Sequence, residues 1–252
     1  MKINLIQLII IFIFCISSYA QVSIDTLKIT KTKELEFNKK QLIIPAVFLA
    51  YGVFGLESGQ IKGLNSGIRE EVKEHIDEKF TIDDLSQYFS IASIYGLEGL
   101  GFKGKNKIKD KTIILATSYL LMGLAVNTLK ATTTVERPDG TSLNSFPSGH
   151  TATAFMGAEL MYQEYKDTSV WYGIAGYVIA TATGAFRMYN NRHWLTDVVA
   201  GAGIGILSAK AGYWLQPITT NWFTKKKSKT SKTAMIPFYD GQNATLSYIK
   251  SF

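Results

Sequence analysis

Residues 112–129 read TIILATSYLLMGLAVNTL, and Lys130 follows. An uncharged apolar run of this length rises about 27 Å as a helix, close to the hydrocarbon thickness of a bilayer. It predicts a membrane-spanning helix and sets the frame for the rest of the chain. Two more apolar helices follow, VWYGIAGYVIATATGAF at 170–186 and VVAGAGIGILSAKAGYWL at 198–215. Their Gly and Ala content suits close helix–helix contact in a membrane. Residues 150–164 start a further helix rich in small residues. Upstream, QLIIPAVFLAYGVFGL at 41–56 is apolar but short for a crossing, and Pro45 is placed to kink it. Residues 86–102, which contain Glu98, form a weaker apolar segment. The expected fold class is all-α: a membrane-embedded bundle of about five to six helices, with a short polar N-terminal arm and a C-terminal tail.

The flanks differ from this core. Lys2, the apolar run Leu5 to Ile16 and the small-residue pattern Ser18-Tyr19-Ala20 have the layout of an export signal over residues 1–20. An uncleaved anchor helix is the alternative reading. Residues 21–40 are polar and rich in Lys and Glu, a surface arm. Ile61, Leu64, Ile68, Val72 and Ile76 recur at three and four with charges between them, as in an amphipathic helix lying on the bilayer interface. His75 within it reads as a solvated or packing residue. The arm, the short apolar helix and the amphipathic helix make up 21–85. The helical core is 86–220, and 221–252 is a basic tail. Its end, Met235 to Phe252, has strand character around an Asp240-Gly241 turn, one hairpin at most. A β-barrel needs about eight strands, for which the chain has no room.

The chain has 252 residues, a net charge of +7 and 46% hydrophobic residues. The lysines lie in short runs, 103–111 and 225–232, beside apolar segments rather than interleaved with aromatics. That excludes nucleic acid as the expected partner and points to a membrane surface or an anionic substrate. Cys15 is the one cysteine, so no internal disulfide and no Cys-based metal site can form. Both Lys-rich runs belong on the cytoplasmic side. The loops at 130–149 and 187–193 then face outward, provided that one of the two weak early segments does not cross.

Three separated patches of polar residues sit at ends of apolar helices. In the first, Lys130 and Arg137 are seven apart, with Pro138 closing the segment. If the helix continues that far, two cations converge at its C-terminal end; a snorkelling flank is the bland alternative. In the second, Pro147-Ser148-Gly149 turns into a helix that begins with His150. Ser148 can donate its hydroxyl, Gly149 admits close backbone approach, and N–H groups at a helix start favour an anion. Plain capping by Ser148 is the alternative. In the third, His193 and Asp197 are four apart, a spacing that brings them together on one helix face, and Arg187 lies six residues before His193. A carboxylate on Nδ1–H leaves Nε2 free to attack. A surface pair of little energetic value is the alternative. Taken together, ionisable groups gathered at one level of a membrane bundle need a purpose.

These residues resemble the three-part signature of the type 2 phosphatidic acid phosphatase superfamily, KxxxxxxRP, PSGH and SRxxxxxHxxxD. The spacing within each part matches, and Phe186 stands where the family usually has serine. The resemblance covers about 112–215 and implies a phosphatase mechanism. Lys130, Arg137, Arg187, the Ser148 hydroxyl and the Gly149 N–H would bind the phosphate. His193 would be the nucleophile, oriented by Asp197. His150 would protonate the leaving oxygen and then activate water. No metal and no cofactor are implied.

The expected substrate is a lipid phosphate monoester or pyrophosphate, with isoprenyl pyrophosphate, lipid A phosphate, phosphatidate and phosphatidylglycerophosphate as candidate classes. The expected location is the bacterial cell envelope, at the inner membrane with the site facing the periplasm. A soluble periplasmic acid phosphatase, a vanadate-dependent haloperoxidase and a non-catalytic membrane protein remain alternatives at this point, and so does an outer-membrane location.

Overall fold

The computed structural model describes residues 38–74, 81–224, 233–239 and 244–250. The expectations for the export signal, the arm up to residue 37, Cys15, His75, the lysines of 225–232 and the Asp240-Gly241 turn lie outside these residues. A 3₁₀ turn, Lys39–Leu42, leads into α1 (Ile43–Gly55), α2 (Gly59–Glu74), α3 (Ile82–Ser86), α4 (Phe89–Gly99), α5 (Ile108–Thr132), α6 (Gly149–Tyr165), α7 (Val170–Tyr189) and α8 (Leu195–Thr224). Strands β1 (Thr233–Tyr239) and β2 (Ala244–Lys250) pair antiparallel, Thr233 opposite Lys250 and Tyr239 opposite Ala244, which is the hairpin expected at the tail.

The class is the expected one. Helices α1 and α4 to α8 form the bundle, and the short or amphipathic α2 and α3 account for the helices beyond the expected five to six. By length and composition α5 and α8 can each cross a membrane, and α1 with α2, bent by 93° at their junction, would be a third span if the pair counts as one. The outer faces of α5 and α7 are apolar: Leu120 is 63% and Trp171 71% exposed. Such faces suit lipid rather than water. The chain is a membrane protein.

The core runs along the bundle through Ile94, Ile114, Met122, Val126, Met156, Leu160, Tyr165, Ile204 and Tyr213. Helix α8 lies against α6 almost backbone to backbone. A Cβ at Gly201 would stand 2.5 Å from the Ser148 carbonyl oxygen, and one at Gly205 would stand 2.8 Å from the Met156 nitrogen. Real Cβ contacts do not come so close, so the two glycines set the interhelical distance. That closeness brings the start of α6 and the start of α8 to the same end of the bundle.

At that end α5 stops and the chain turns. Thr132, Thr133, Thr134 and Val135 are four β-branched residues in a row, poor continuers of a helix. The Thr132 and Thr133 hydroxyls donate back to the Thr128 and Leu129 carbonyls, at 3.0 and 2.7 Å, and satisfy the helix end. At the opposite end, the Lys105 N–H donates to the Glu164 carbonyl at 2.9 Å and ties the α4–α5 loop to the end of α6.

Candidate active site

Arg137 does not share a helix with Lys130, because α5 ends at Thr132. A loop carries it back instead. The Val135–Asn144 bridge, the Ser145 N–H on the Val135 carbonyl at 2.9 Å and the Arg137 N–H on the Ser142 carbonyl at 2.9 Å fold residues 135–145 into a compact turn. Arg137 Nε donates to Asn144 Oδ1 at 3.2 Å, while Lys130 Nζ donates to the Asn144 and Ser145 carbonyls at 2.5 and 3.4 Å. The two cations therefore meet across this loop rather than along a helix face. The loop closes through a cis Phe146–Pro147 bond into α6.

Ser148 is the N-cap of α6: its Oγ accepts from the Thr151 N–H and from the Thr151 hydroxyl, at 3.4 and 2.9 Å. The capping alternative thus describes what its oxygen accepts. The Ser148 hydroxyl hydrogen is not used by that cap. A Cβ on Gly149 would meet only Val126 Cγ1, at an ordinary 3.8 Å, so packing within the protein does not require glycine there.

His193 and Asp197 do come together, Nδ1 to Oδ2 at 3.4 Å, but not on one helix face. Helix α8 begins at Leu195, so His193 lies just before it and Asp197 in its first turn. The Asp197 carboxylate reaches back to accept the Trp194 N–H at 2.9 Å, half of a capping box. The same Oδ2 accepts from the Ser145 hydroxyl at 2.5 Å, and Ser145 Oγ lies 3.5 Å from His193 Nδ1. With its hydrogen given to Asp197, Ser145 Oγ offers a lone pair to His193. Both neighbours of Nδ1 are then acceptors, which places the proton on Nδ1 and leaves Nε2 bare. His193 is 3% exposed and Asp197 0%. Burial pushes His193 down to about 4, against the pull of Asp197, so the ring is neutral at ordinary pH.

Arg187, in the last turn of α7, is buried, and its NH1 is paired with Asp83. Its Nε is buried without a partner. Arg137 is pushed below its ordinary value by burial and by the Arg187 charge, and Lys130 lies within electrostatic reach of Arg137, Arg187 and Asp197. Three cations crowd together, with Asp197 already committed to His193. Such a cluster is complementary to a multiply charged anion. His150 Nε2 meets Asp84 Oδ1 at 2.9 Å. Phe186 stacks edge-on with Tyr189, ring centroids 6.2 Å apart, and gives the site no polar group.

The structure thus brings all three sequence patches to one end of the bundle and adds Ser145, Trp194, Asp83 and Asp84. Ser145 carried no signal beyond being a serine in a polar stretch. Asp83 and Asp84 lie on a helix of five residues, too short to show a period, and carried no signal. Trp194 acts through its backbone, which side-chain patterns do not report. Among the described residues, no group of three or more His, Cys, Asp or Glu side chains could hold a metal ion.

Residues 111–220 match the PAP2 superfamily. The chain is 42% identical over 168 residues to the lipid A 1-phosphatase of Porphyromonas gingivalis, an alignment covering 64% of this chain and 38% of that protein. It is 39% identical over 74 residues to the bacitracin transport permease protein BcrC of Bacillus licheniformis, covering 29% of this chain and 34% of that one. The chain therefore spans well under half the length of these curated relatives. The crystal structure of Aquifex aeolicus LpxE aligns with a TM-score of 0.41 at 18% identity, over 71% of this chain and 98% of that one. The matched residues 111–220 hold every sequence-derived site residue from Lys130 to Asp197, so the similarity to the PAP2 superfamily falls on the segment that builds the site.

Proposed function

We propose that the protein is a metal-independent phosphatase acting on a lipid phosphate monoester or pyrophosphate through a phosphohistidine. The observation that carries this reading is the buried His193, neutral and held at Nδ1 by Asp197 and Ser145, beside Lys130 and Arg187, with Arg137 next to them. The similarity to a protein named lipid A 1-phosphatase supports a lipid phosphate as substrate.

In this reading Lys130, Arg137, Arg187, the Ser148 hydroxyl and the Gly149 N–H hold the phosphate oxygens and stabilise the charge spread over them in the transition state. His193 Nε2 attacks phosphorus in line, the bond to the leaving oxygen breaks, and that oxygen takes its electron pair and a proton from His150. Asp197 stabilises the resulting positive ring. His150, now neutral, removes a proton from water. The water oxygen attacks phosphorus, the P–N bond breaks, and its pair returns to His193. The three cations supply the charge neutralisation that a metal supplies in other phosphatases.

The lysines at 103–109 lie at the end of the bundle opposite the site. By the positive-inside rule they belong to the cytoplasm, which supports a site facing the periplasm from the inner membrane.

The test is phosphate release by the detergent-purified protein and by His193→Ala, with EDTA present. The panel comprises phosphatidate, isoprenyl pyrophosphate, lipid A and nitrophenyl phosphate. Wild type is expected to act on at least one lipid and His193→Ala on none. Activity that appears only after a divalent metal is added would sink the mechanism. Preference for nitrophenyl phosphate over every lipid would favour a general acid phosphatase.

A further inference from the structure

Two carboxylates outside the family-matched segment reach the site. They sit on α3, a five-residue helix in the connection between α2 and α4. Asp83 is 1% exposed. Its Oδ2 takes Arg187 NH1, and its Oδ1 accepts from Asn190 Nδ2 at 3.0 Å. Asp84 is the outer of the two, its side chain 59% exposed, and its Oδ1 lies 2.9 Å from His150 Nε2 and 3.7 Å from Arg187 NH1. The other end of α3 is pinned to α7 by a 2.8 Å bond between the Ser86 and Thr183 hydroxyls. The short helix is thus fixed at both ends across the mouth of the site.

We propose that Asp84 is a positioning residue for His150, held in place by the Asp83–Arg187 pair, and that α3 completes the acid–base half of the site. The inference rests on the phosphatase reading above. A carboxylate accepts only, so Nε2 must carry a proton for the contact to be favourable. Nδ1 is then the nitrogen that exchanges a proton with the reacting groups. In the cationic ring Nε2–H stays on Asp84 and Nδ1–H goes to the leaving oxygen as the P–O bond breaks. The neutral ring keeps Nε2–H, and Nδ1 has the lone pair that takes the proton from water. Without Asp84 the neutral ring is free to move its proton to Nδ1, and that tautomer cannot accept from water.

The support is geometric and chemical together. Asp83 occupies one end of the Arg187 fork and leaves Nε, buried and unpartnered, for an anion. Burial and the Arg187 charge both lower the proton affinity of His150, and Asp84 and Asp83 oppose them. A general acid needs that opposition, because a ring that has lost its proton has nothing to give.

The test compares wild type with Asp84→Asn, since the Asp84 side chain is exposed and the substitution keeps its size. Phosphatidate has a poor leaving group that needs protonation and nitrophenyl phosphate a good one that does not. Asp84→Asn is expected to lower kcat/KM, which reads the leaving-group step, by about 10- to 100-fold on phosphatidate and by no more than about 3-fold on nitrophenyl phosphate, and to lower kcat on both, because hydrolysis of the phosphohistidine is common to them. Equal losses of kcat/KM on both substrates, or none on either, would overturn the proposal. A second measurement does not depend on activity. In ¹⁵N-histidine spectra, assigned through replacement of the other two histidines, His150 is expected as the Nε2–H tautomer in wild type and as a mixture in Asp84→Asn. The Nδ1–H tautomer in wild type would equally overturn it. A wild type inactive on every substrate, with the expected tautomer, would instead count against the phosphatase reading and leave Asp84 in its place.

Discussion

Asp197 uses one carboxylate oxygen for three neighbours: the Ser145 hydroxyl, the Trp194 N–H and His193 Nδ1. The arrangement locks the His193 ring, and burial keeps it neutral. In an NMR titration, His193 is expected to change only near pH 4, with no change between about 5.5 and 7.5. The sign follows from the cause. Desolvation disfavours the charged ring, so the proton binds only at lower pH. Asp197→Asn removes the one strong opposing charge and is expected to move the transition lower still; a transition at the ordinary 6.5 would mean an exposed ring. Ser145→Ala leaves the Asp197 carboxylate short of a donor. A hydrogen bond to a charged group is worth about 1.5–3 kcal/mol, so kcat is expected to fall about 10- to 100-fold with little change in KM, as steady-state kinetics on nitrophenyl phosphate would show. The spacing of Lys130, Arg137, Ser148, His150, Arg187, His193 and Asp197 made these residues legible, because each patch is local in sequence. Ser145, Asp83 and Asp84 were not, because their partners lie 52, 104 and 66 residues away, and only folding reveals such pairs.

Hydrophobic runs located the helices but not their ends. The centres of α1, α5, α7 and α8 follow from apolar stretches. Where each stops depends on capping and chain branching instead. The four β-branched residues after Ala131 end α5 before Arg137, and the Trp194–Asp197 cap starts α8 ahead of the apolar run at 198. Helix α3 has too few residues to show a period at all. Spacing in sequence was therefore right about which residues meet and wrong about how, for both Lys130–Arg137 and His193–Asp197. The contact between α6 and α8 is an element-scale property with its own test. Gly205→Ala would drive a methyl group into the backbone of Ala152 and Met156. Overpacking of this kind costs about 1–3 kcal/mol and would also shift the Ser148 end of α6 relative to Asp197. The variant is expected to melt earlier in detergent and to lose activity. Gly123→Ala, on α5, meets nothing within 4 Å, and is expected to melt as wild type or slightly later. Equal effects of the two substitutions would show that α6 and α8 are not in close contact.

The whole molecule is polar at both ends of the bundle, for different reasons. At the site end Lys130, Arg137 and Arg187 crowd together, and only Arg187 has a direct carboxylate partner among them. Toward the other end, buried charges are matched. Lys210 Nζ meets Glu159 Oε1 at 2.6 Å, the Gln163 amide donates to that same oxygen at 2.6 Å, and the Tyr177 hydroxyl donates to Glu159 Oε2. Beyond it Lys111 pairs with Glu98, and Tyr213 donates to Glu164 at 2.7 Å. Glu159 and Lys210 come from α6 and α8, the two helices that also carry His150 and Asp197. Asp197 and Lys210 are thirteen residues apart on α8, about 20 Å along the axis, so the pair does not touch the site. The pair joins α6 to α8 through a buried charge contact. Removing one partner strands the other charge in a buried place, at a cost of about 3–5 kcal/mol, whereas replacing both by apolar residues of similar volume is often neutral. Lys210→Met is thus expected to melt well below wild type in detergent, and Lys210→Met with Glu159→Gln, which removes the charge and keeps an acceptor for Tyr177 and Gln163, to recover most of the loss. If the pair also sets register, the double variant will be stable yet slower, because α6 can then slide and carry Ser148 and His150 away from His193. A double variant with wild-type stability and wild-type kcat would leave register to the glycine contacts alone.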